Sequence, residues 1–225
     1  EALIRWAKPG QGIISPADFI PIAEESNLIV QIDSWVLDAA CQQAKRWQDC
    51  GLEPFRIAVN VSAKEFTDTL CERVQICLEK YGLSSAWIEL EITESMLMRN
   101  ATSVVSIMNQ LTALGVRLAL DDFGTGFSSL SYLKKFPIDS VKIDRSFVQG
   151  VPDDIDDCAI SSAIISMAKQ MRHRVVAEGV ENNEQFNFLR KMGCDEIQGY
   201  LFARPLDVEK FTDALRNGFN LPYST

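Results

Sequence analysis

Residues 116–126 read Val-Arg-Leu-Ala-Leu-Asp-Asp-Phe-Gly-Thr-Gly, an apolar run that ends in two carboxylates and a glycine-rich turn. Successive side chains on a strand point to opposite faces, so Asp121 and Asp122 can serve one site only where the strand gives way to a loop. Gly124 and Gly126 tolerate a positive φ and supply that loop. Two adjacent carboxylates repel each other, which makes a cation between them the natural explanation.

The same order, an apolar run followed by polar groups, recurs along the chain. Four more polar motifs follow runs of β-branched and aliphatic residues: Asn60-Val61-Ser62, Glu91-Ile92-Thr93-Glu94, Lys142-Ile143-Asp144 and Glu178-Gly179-Val180-Glu181. A lysine in the otherwise apolar strand at 140–143 is either a snorkelling stem or a cation held in a polar cavity. In an α/β barrel, the active site is formed by polar side chains at the ends of several successive strands.

Segments of helical periodicity lie between these runs. Helices are predicted from Pro16 and over about 32–50, 70–81, 103–114, 128–135, 155–171, 184–192 and 208–216. This alternation favours a parallel sheet. A doubly wound open sheet has the same alternation but concentrates its ligand at one switch point, so the spread of polar groups favours an α/β barrel.

Composition limits the kinds of ligand. The 225 residues, 47% of them hydrophobic, suit one domain spanning 1–225. The net charge of -9 argues against binding to a DNA or RNA backbone, which needs clustered cations. With one histidine and no C-x-x-C pair among six cysteines, any metal is held by carboxylate and amide oxygens. Such a donor set selects magnesium, manganese or calcium.

A dinucleotide-binding alternative rests on Gly124-x-Gly126-x-x-Ser129, which follows a predicted strand and has Asp144 about twenty residues further on. Serine replaces the third glycine of that pattern. Two carboxylates directly before the loop would also lie against a pyrophosphate. Both features disfavour this alternative.

Taken together, seven motifs resemble the EAL family of cyclic-di-GMP-specific phosphodiesterases. They are the five above together with Glu1-Ala2-Leu3-x-Arg5 and Gln198-Gly199-Tyr200. The resemblance covers essentially the whole chain. It implies a modified TIM (β/α)8 barrel that hydrolyses cyclic di-GMP to linear pGpG in bacterial second-messenger signalling. It also implies dependence on Mg²⁺ or Mn²⁺, with two ions per site that activate the attacking water.

The resemblance also implies a role for each matched position. One metal ion would have four ligands: Glu1, Asn60, Glu91 and Asp121. A second ion would be served by Asp121, Asp122 and Glu178. Lys142 would orient or acidify the attacking water, and Glu178 would be the general base. Four positions would bind substrate or water: Leu3, Arg5, Glu181 and Gln198. Glu94 would anchor the loop that begins at Asp121.

One departure concerns the N-terminus, because the family has a strand before its Glu-Ala-Leu segment and this chain begins at Glu1. We therefore expect a barrel that lacks its first strand, in a fragment of a longer, multidomain protein. Sensory or cyclase domains would lie outside this chain. In similar proteins, the loop and helix after Asp122 are associated with dimerisation. A homodimer is therefore one expected form of this chain. We expect a cytoplasmic domain, with any membrane tether in regions outside this chain.

Two other functions remain open from the sequence. A catalytically inactive receptor of the same fold would bind cyclic di-GMP without cleaving it, but such members typically lose the first Glu, a ligand or the Lys. A different oxygen-ligand metal barrel, such as an enolase-type enzyme, would act on a carboxylate or sugar acid. It would leave Arg5 and the glycine loop without an obvious purpose.

Overall fold

The structure, a computed structural model, describes residues 1–97, 101–126 and 133–218. Backbone contacts divide the chain into two compact units. The first unit comprises Glu1–Ile92, Met96–Leu118 and Lys135–Pro137, and the second comprises Thr93–Ser95, Ala119–Lys134 and Ile138–Thr225. The single domain over 1–225 stays a prediction.

Eight strands lie within the described residues and form two sheets. A short antiparallel hairpin joins β1 (Trp6–Lys8) to β2 (Gly12–Ile14). The other sheet follows the chain order β3 (Ile57–Asn60), β4 (Ile88–Thr93), β5 (Arg117–Phe123), β6 (Ser140–Ile143), β7 (Arg174–Ala177) and β8 (Glu196–Ile197). The pairs β3–β4, β5–β6, β6–β7 and β7–β8 are all parallel, as predicted for this α/β fold.

Helices occupy the intervals between the strands. They are α1 (Pro16–Glu25), α2 (Ile29–Asp49), α3 (Asp68–Tyr81), α4 (Glu94–Leu97), α5 (Ala101–Ala113), α6 (Ile155–Gln170), α7 (Asn183–Met192) and α8 (Val208–Asn217). Short 3-10 helices span Ser85–Trp87 and Arg145–Phe147. The helix predicted over 128–135 lies largely outside the described residues. Among helices in the described ranges, none has both the length and the apolar character needed to cross a bilayer.

The first unit is organised by the buried face of α2 and by the strands β3 and β4. Leu37, Ala40, Cys41 and Ala44 lie on one stripe of α2 and are buried, as the helical period requires. The helix ends at Asp49, and Gly51, two residues further on, has a φ of +76°, which suits a residue without a Cβ. The N-terminal segment lies beside β3, because the Ala2 N–H donates to the Ala58 carbonyl at 2.8 Å.

The second unit places polar side chains on β6, a strand that is otherwise buried and apolar. All four residues of β6 are buried, including Ser140 and Lys142. Parallel pairing sets Lys142 opposite Val176 of β7, and Val176 in turn lies opposite Glu196 of β8. The carboxyl ends of these strands therefore meet at one edge of the sheet, where the predicted site residues follow.

A buried carboxyl in the first unit leads to a prediction about stability and pH. Burial, reinforced by a hydrogen bond with Asp33, raises the pKa of Glu65 from the usual 4.5 to about 8, although Arg73 Nε lies 2.8 Å from Glu65 Oε1. The folded state thus holds this proton more tightly than the unfolded chain does, and the associated stability is lost as pH rises through about 8. We expect the Tm to fall between about pH 4.5 and about pH 8, the unfolded and folded pKa values of this carboxyl, and Glu65→Gln to flatten that fall. Thermal unfolding of both proteins across this range checks the prediction, and parallel pH profiles would contradict it.

Candidate active site

The carboxyl end of β5 carries the paired carboxylates on a bulge. Leu120 pairs with Val141 and Phe123 pairs with Ile143, so three steps along β5 match two along β6. Asp122 has a φ of +53°, a left-handed conformation that occurs in one type of β-bulge. The predicted change to a loop directly after Leu120 is therefore wrong. The strand continues to Phe123. The bulge interrupts the regular alternation by which adjacent side chains, here Asp121 and Asp122, point to opposite faces of the sheet.

Lys142 lies in an ion-pair cluster on the second unit. Its Nζ is 2.6 Å from Glu178 Oε1 and 3.2 Å from Asp121 Oδ1, and its side chain is only 3% exposed. The ammonium group is therefore a buried cation between carboxylates of β5 and of the segment after β7. This favours the polar-cavity interpretation of the lysine over the snorkelling one. A buried charge is stable only when it is paired, and here two partners are present.

Asp122 lies close to the same cluster. Burial raises the pKa of its carboxyl above the usual value, and the charges of Asp121 and Asp144 raise it further, while Lys142 opposes them. The cluster therefore carries more negative than positive charge. Asp144 itself caps the following 3-10 helix by accepting from the Ser146 N–H at 2.9 Å. Excess negative charge of this kind is relieved by a bound cation, and proton and cation compete for it.

The segment after β7, which carries Glu178 and Glu181, makes close contacts with the chain that follows β6. The Glu178 N–H donates to the Ile143 carbonyl at 3.2 Å, which ties it to the end of β6. Gly179 has a φ of +70°, and a Cβ there would meet the side chain of Arg145 at 2.6 Å. Only glycine suits this position without a shift of its neighbours.

Gln198 is positioned by the same segment. Its N–H donates to the Ala177 carbonyl at 2.8 Å, and its carbonyl accepts from the Val180 N–H at 3.1 Å. A Cβ at Gly199 would overlap the backbone of Val180, so glycine permits this approach. Glu181 and Gln198 are both exposed. The structure thus brings the Glu178–Glu181 segment and Gln198 together at the ends of β7 and β8.

Glu94 contacts the glycine turn that follows β5. It is 2% exposed, and its Oε2 accepts from the Gly124 N–H at 3.0 Å. A Cβ at Gly126 would lie 2.8 Å from its Oε1. A carboxylate held directly against a backbone N–H and a glycine is the geometry of an anchor for this turn.

This contact predicts different effects for two substitutions of one residue. Glu94→Ala removes the acceptor of the Gly124 N–H, whereas Glu94→Gln keeps an amide oxygen at the same position. We expect the alanine variant to exchange the Gly124 amide at least about tenfold faster and to lose cation affinity, because loss of a supporting group typically costs about 10–100-fold. The glutamine variant should be closer to the wild type in both the exchange rate of the Gly124 amide and the affinity for the cation. Amide exchange and manganese titration check this, and equal behaviour of the two variants would contradict it.

The other predicted ligands lie on the first unit. Glu1 Oε1 accepts from Asn60 Nδ2 at 2.7 Å, and Asn60 is paired in register with Glu91 across β3 and β4. Glu91 is 2% exposed, and β4 continues two residues beyond it to Thr93. Three side chains from separate parts of the sequence therefore gather at the carboxyl ends of two adjacent strands. Leu3 and Arg5 follow Glu1 on the surface.

The donor groups suit a hard divalent cation in chemical type. They are carboxylates and one amide, which Mg²⁺ and Mn²⁺ prefer. Within 1–97, 101–126 and 133–218, no three His, Cys, Asp or Glu side chains converge into a ligand group of their own. The fit therefore rests on two acidic groups: the half-buried Asp122 gains from a neighbouring positive charge, and the buried Glu91 is an acid in the interior of a strand.

One residue that contributes to this region was not singled out from the sequence. Gln185, on the first turn of α7, accepts from the Glu181 N–H at 2.8 Å. The pattern Asn182-x-x-Gln185 is that of a capping box, which gives a sequence signal for a helix start. Nothing in the pattern signals the contact with Glu181.

In the second unit, acidic side chains at the carboxyl ends of parallel strands lie beside a buried lysine, the arrangement of an α/β protein whose charged groups gather at its strand ends. The EAL-domain family model matches residues 1–205, and the chain belongs to the EAL-domain family. The solved structures most similar in fold include the PaMucR phosphodiesterase in a c-di-GMP complex, with a TM-score of 0.90 and 45% identity over 93% of this chain and 85% of that one. This similarity confirms the TIM-barrel-like fold class.

Curated relatives carry the names of signalling enzymes. The chain is 46% identical over 211 residues to the bifunctional diguanylate cyclase/cyclic di-GMP phosphodiesterase MucR of Pseudomonas aeruginosa, covering 93% of this chain and 31% of MucR. It is 41% identical over 212 residues to the cyclic di-GMP phosphodiesterase PdeR of Escherichia coli, covering 94% of this chain and 32% of PdeR. The chain thus spans about a third of the length of these relatives. Phosphodiesterases of the EAL family depend on divalent metal ions.

Proposed function

We propose that this chain is a metal-dependent phosphodiesterase that hydrolyses cyclic di-GMP to linear pGpG. The observation that carries the proposal is the buried Lys142 ammonium, 2.6 Å from Glu178 and 3.2 Å from Asp121. Lys142 thus pairs with both Glu178, which can accept a proton, and Asp121, which can bind a cation. Relatives named cyclic di-GMP phosphodiesterases support the choice of substrate.

The reaction adds one water across one phosphodiester bond. The water oxygen bonds to phosphorus, the P–O3′ bond breaks, and the departing 3′ oxygen takes up a proton. The product therefore keeps its phosphate on the 5′ side, as in pGpG. Divalent ions at the site would supply a hydroxide near neutral pH and neutralise charge on the phosphate oxygens.

The side chains of the cluster then have separable duties. Glu178 accepts the proton of the attacking water, and it is held for this by Lys142 and by its own N–H bond to Ile143. Lys142 keeps positive charge beside the water, which favours the deprotonated form. Its two carboxylate partners hold the ammonium in place, so little reorganisation is needed during the reaction.

We assign the remaining positions the roles that the family resemblance implies. Four residues would be ligands of one Mg²⁺ or Mn²⁺ ion: Glu1, Asn60, Glu91 and Asp121. Asp121, Asp122 and Glu178 would serve a second ion. Leu3 and Arg5 contact the nucleotide and its phosphate, while Glu181 and Gln198 position substrate or water. Support comes from donor chemistry and from the grouping of Glu1, Asn60 and Glu91 at neighbouring strand ends.

The proposal also concerns the setting of the domain. We propose a cytoplasmic site of action, because the substrate is an intracellular second messenger. Sensory or cyclase domains would accompany the chain, whose relatives are about three times as long. A homodimer through the loop and helix after Asp122 is a further part of the proposal, and much of that segment lies outside the described residues.

Chromatography of the reaction products tests the function and separates it from the inactive-receptor alternative. The chain is incubated with cyclic di-GMP and Mg²⁺ or Mn²⁺, with a chelator in a parallel sample. Metal-dependent pGpG is the expected result. Tight nucleotide binding without product over long incubation would favour the receptor, and turnover of sugar acids with no effect on cyclic di-GMP would favour an enolase-type enzyme.

A further inference from the structure

We propose that Gln185 is a positioning residue that holds Glu181 in place by joining the segments that follow β6 and β7. The inference rests on the proposed function, because the role of Glu181 in positioning substrate or water belongs to it. Gln185 contacts no substrate in this account. It acts through the backbone of Glu181 and through the segment that follows Lys142.

The burial of Gln185 is unusual for its surroundings. The four residues before it, 181–184, are all exposed, yet Gln185 itself is 4% exposed. A buried amide is costly unless both its oxygen and its nitrogen find partners. Here both ends are used, so the side chain is fixed in position at each end.

The hydrogen bonds of Gln185 extend beyond those of a helix cap. A capping box needs only its exchange with Asn182, and that exchange is present: the Gln185 N–H donates to Asn182 Oδ1 at 2.9 Å, and the Asn182 N–H donates to Gln185 Oε1 at 3.3 Å. The shorter bond to the same oxygen comes from the Glu181 N–H, at 2.8 Å. The side chain therefore holds the residue that lies before the cap.

The other end of the amide reaches a different part of the chain. Gln185 Nε2 donates to the Gln149 carbonyl at 3.2 Å, a contact 36 residues distant in sequence. Gln149 follows the 3-10 helix Arg145–Phe147, which comes directly after Lys142-Ile143-Asp144. Gln185 thus links the segment after Lys142 to the segment that carries Glu178 and Glu181. The Glu178 N–H, which donates to the Ile143 carbonyl at 3.2 Å, and the Lys142–Glu178 ion pair at 2.6 Å also join these strand ends.

The test replaces Gln185 by methionine, which keeps the length and removes both polar atoms. In the Gln185→Met variant we expect the Glu181 amide to exchange with solvent at least about tenfold faster, because its acceptor is lost. We expect kcat/KM for cyclic di-GMP to fall about tenfold, the lower end of what loss of a supporting residue costs. In a Glu181→Gln background, Gln185→Met should alter kcat/KM by less than about twofold, because the carboxylate that Gln185 positions is already replaced.

A matched control separates positioning from loss of a helix cap. Asp207 caps a different helix, α8, by accepting from the Lys210 N–H at 2.9 Å. Asp207→Ala should lower the Tm while leaving kcat/KM and the Glu181 amide unchanged. If Gln185→Met does not fold, Gln185→Glu replaces it: this variant keeps an acceptor for Glu181 and should keep that amide protected while losing the bond to Gln149.

Two results would overturn the positioning role: unchanged exchange of the Glu181 amide in Gln185→Met, or equal losses of kcat/KM with and without Glu181→Gln. Failure of the proposed function is recognised separately. If the wild-type chain binds cyclic di-GMP without cleaving it, the phosphodiesterase proposal fails. In that case the effect of Gln185→Met, with and without Glu181→Gln, is measured on the dissociation constant for cyclic di-GMP. Exchange of the Glu181 amide still tests whether Gln185 holds Glu181.

Discussion

Replacement of Lys142 by alanine lowers kcat for cyclic di-GMP by about 10²–10³-fold, the usual cost of removing one preorganised electrostatic group. The physical reason is the position of its ammonium between Glu178 and Asp121, at 2.6 and 3.2 Å. Without it the two carboxylates repel each other, and the attacking water loses a neighbouring positive charge. Nucleotide binding should stay measurable, because Lys142 acts on the water and not on the bases.

The measurement pairs single-turnover kinetics with a separate determination of the dissociation constant. Lys169→Ala is the matched control, since Lys169 also forms an ion pair in the second unit, 3.0 Å from Asp195, but is 42% exposed at its side chain. An exposed pair contributes little, so this variant should retain near wild-type turnover. Normal turnover by Lys142→Ala would show that the assigned role is wrong.

Replacement of Asp121 by asparagine removes both cation affinity and turnover. The substitution conserves shape but takes one negative charge from a group that holds Lys142 and lies beside Asp122. A ligand to both ions is the position where a single change costs most, and we expect at least about a hundredfold loss in manganese affinity and a larger loss in kcat.

Calorimetric titration with manganese reports on cation affinity without reference to activity. Asp153→Asn is the control for the change in net charge, because Asp153 lies in the same unit and is exposed in the acidic segment before α6. It should bind manganese as the wild type does. If Asp121→Asn retains wild-type affinity, the carboxylate is not a ligand, and a parallel loss in Asp153→Asn would indicate only a general effect of charge.

The sequence predicted the order of strands and helices because that order depends on local apolar runs and their terminators. The helix predicted over 32–50 is α2, Ile29–Asp49, and the apolar run that precedes the motif at Glu178 is β7, Arg174–Ala177. The exposed hairpin of β1 and β2 was not predicted, since its residues show no buried face. The two-residue β8 is too short to produce a periodic signal.

The types of residue in the candidate site were also predictable, whereas their contacts were not. The bulge that contains Asp122 arises from the register between β5 and β6, and register is a property of two strands. The two carboxylate partners of Lys142 come from β5 and from the segment after β7, far apart in the chain. The contact of Gln185 with Gln149 likewise spans 36 residues and could be found only in the fold.

Hydrolysis in water enriched in ¹⁸O, with mass analysis of the product, tests the proposed phosphodiesterase reaction. Metal-dependent pGpG that carries one ¹⁸O atom on its terminal 5′ phosphate is the expected result, because a water oxygen attacks phosphorus and the P–O3′ bond breaks. Unlabelled product, label on a 3′ oxygen, or intact cyclic di-GMP in a folded, metal-loaded sample would contradict it.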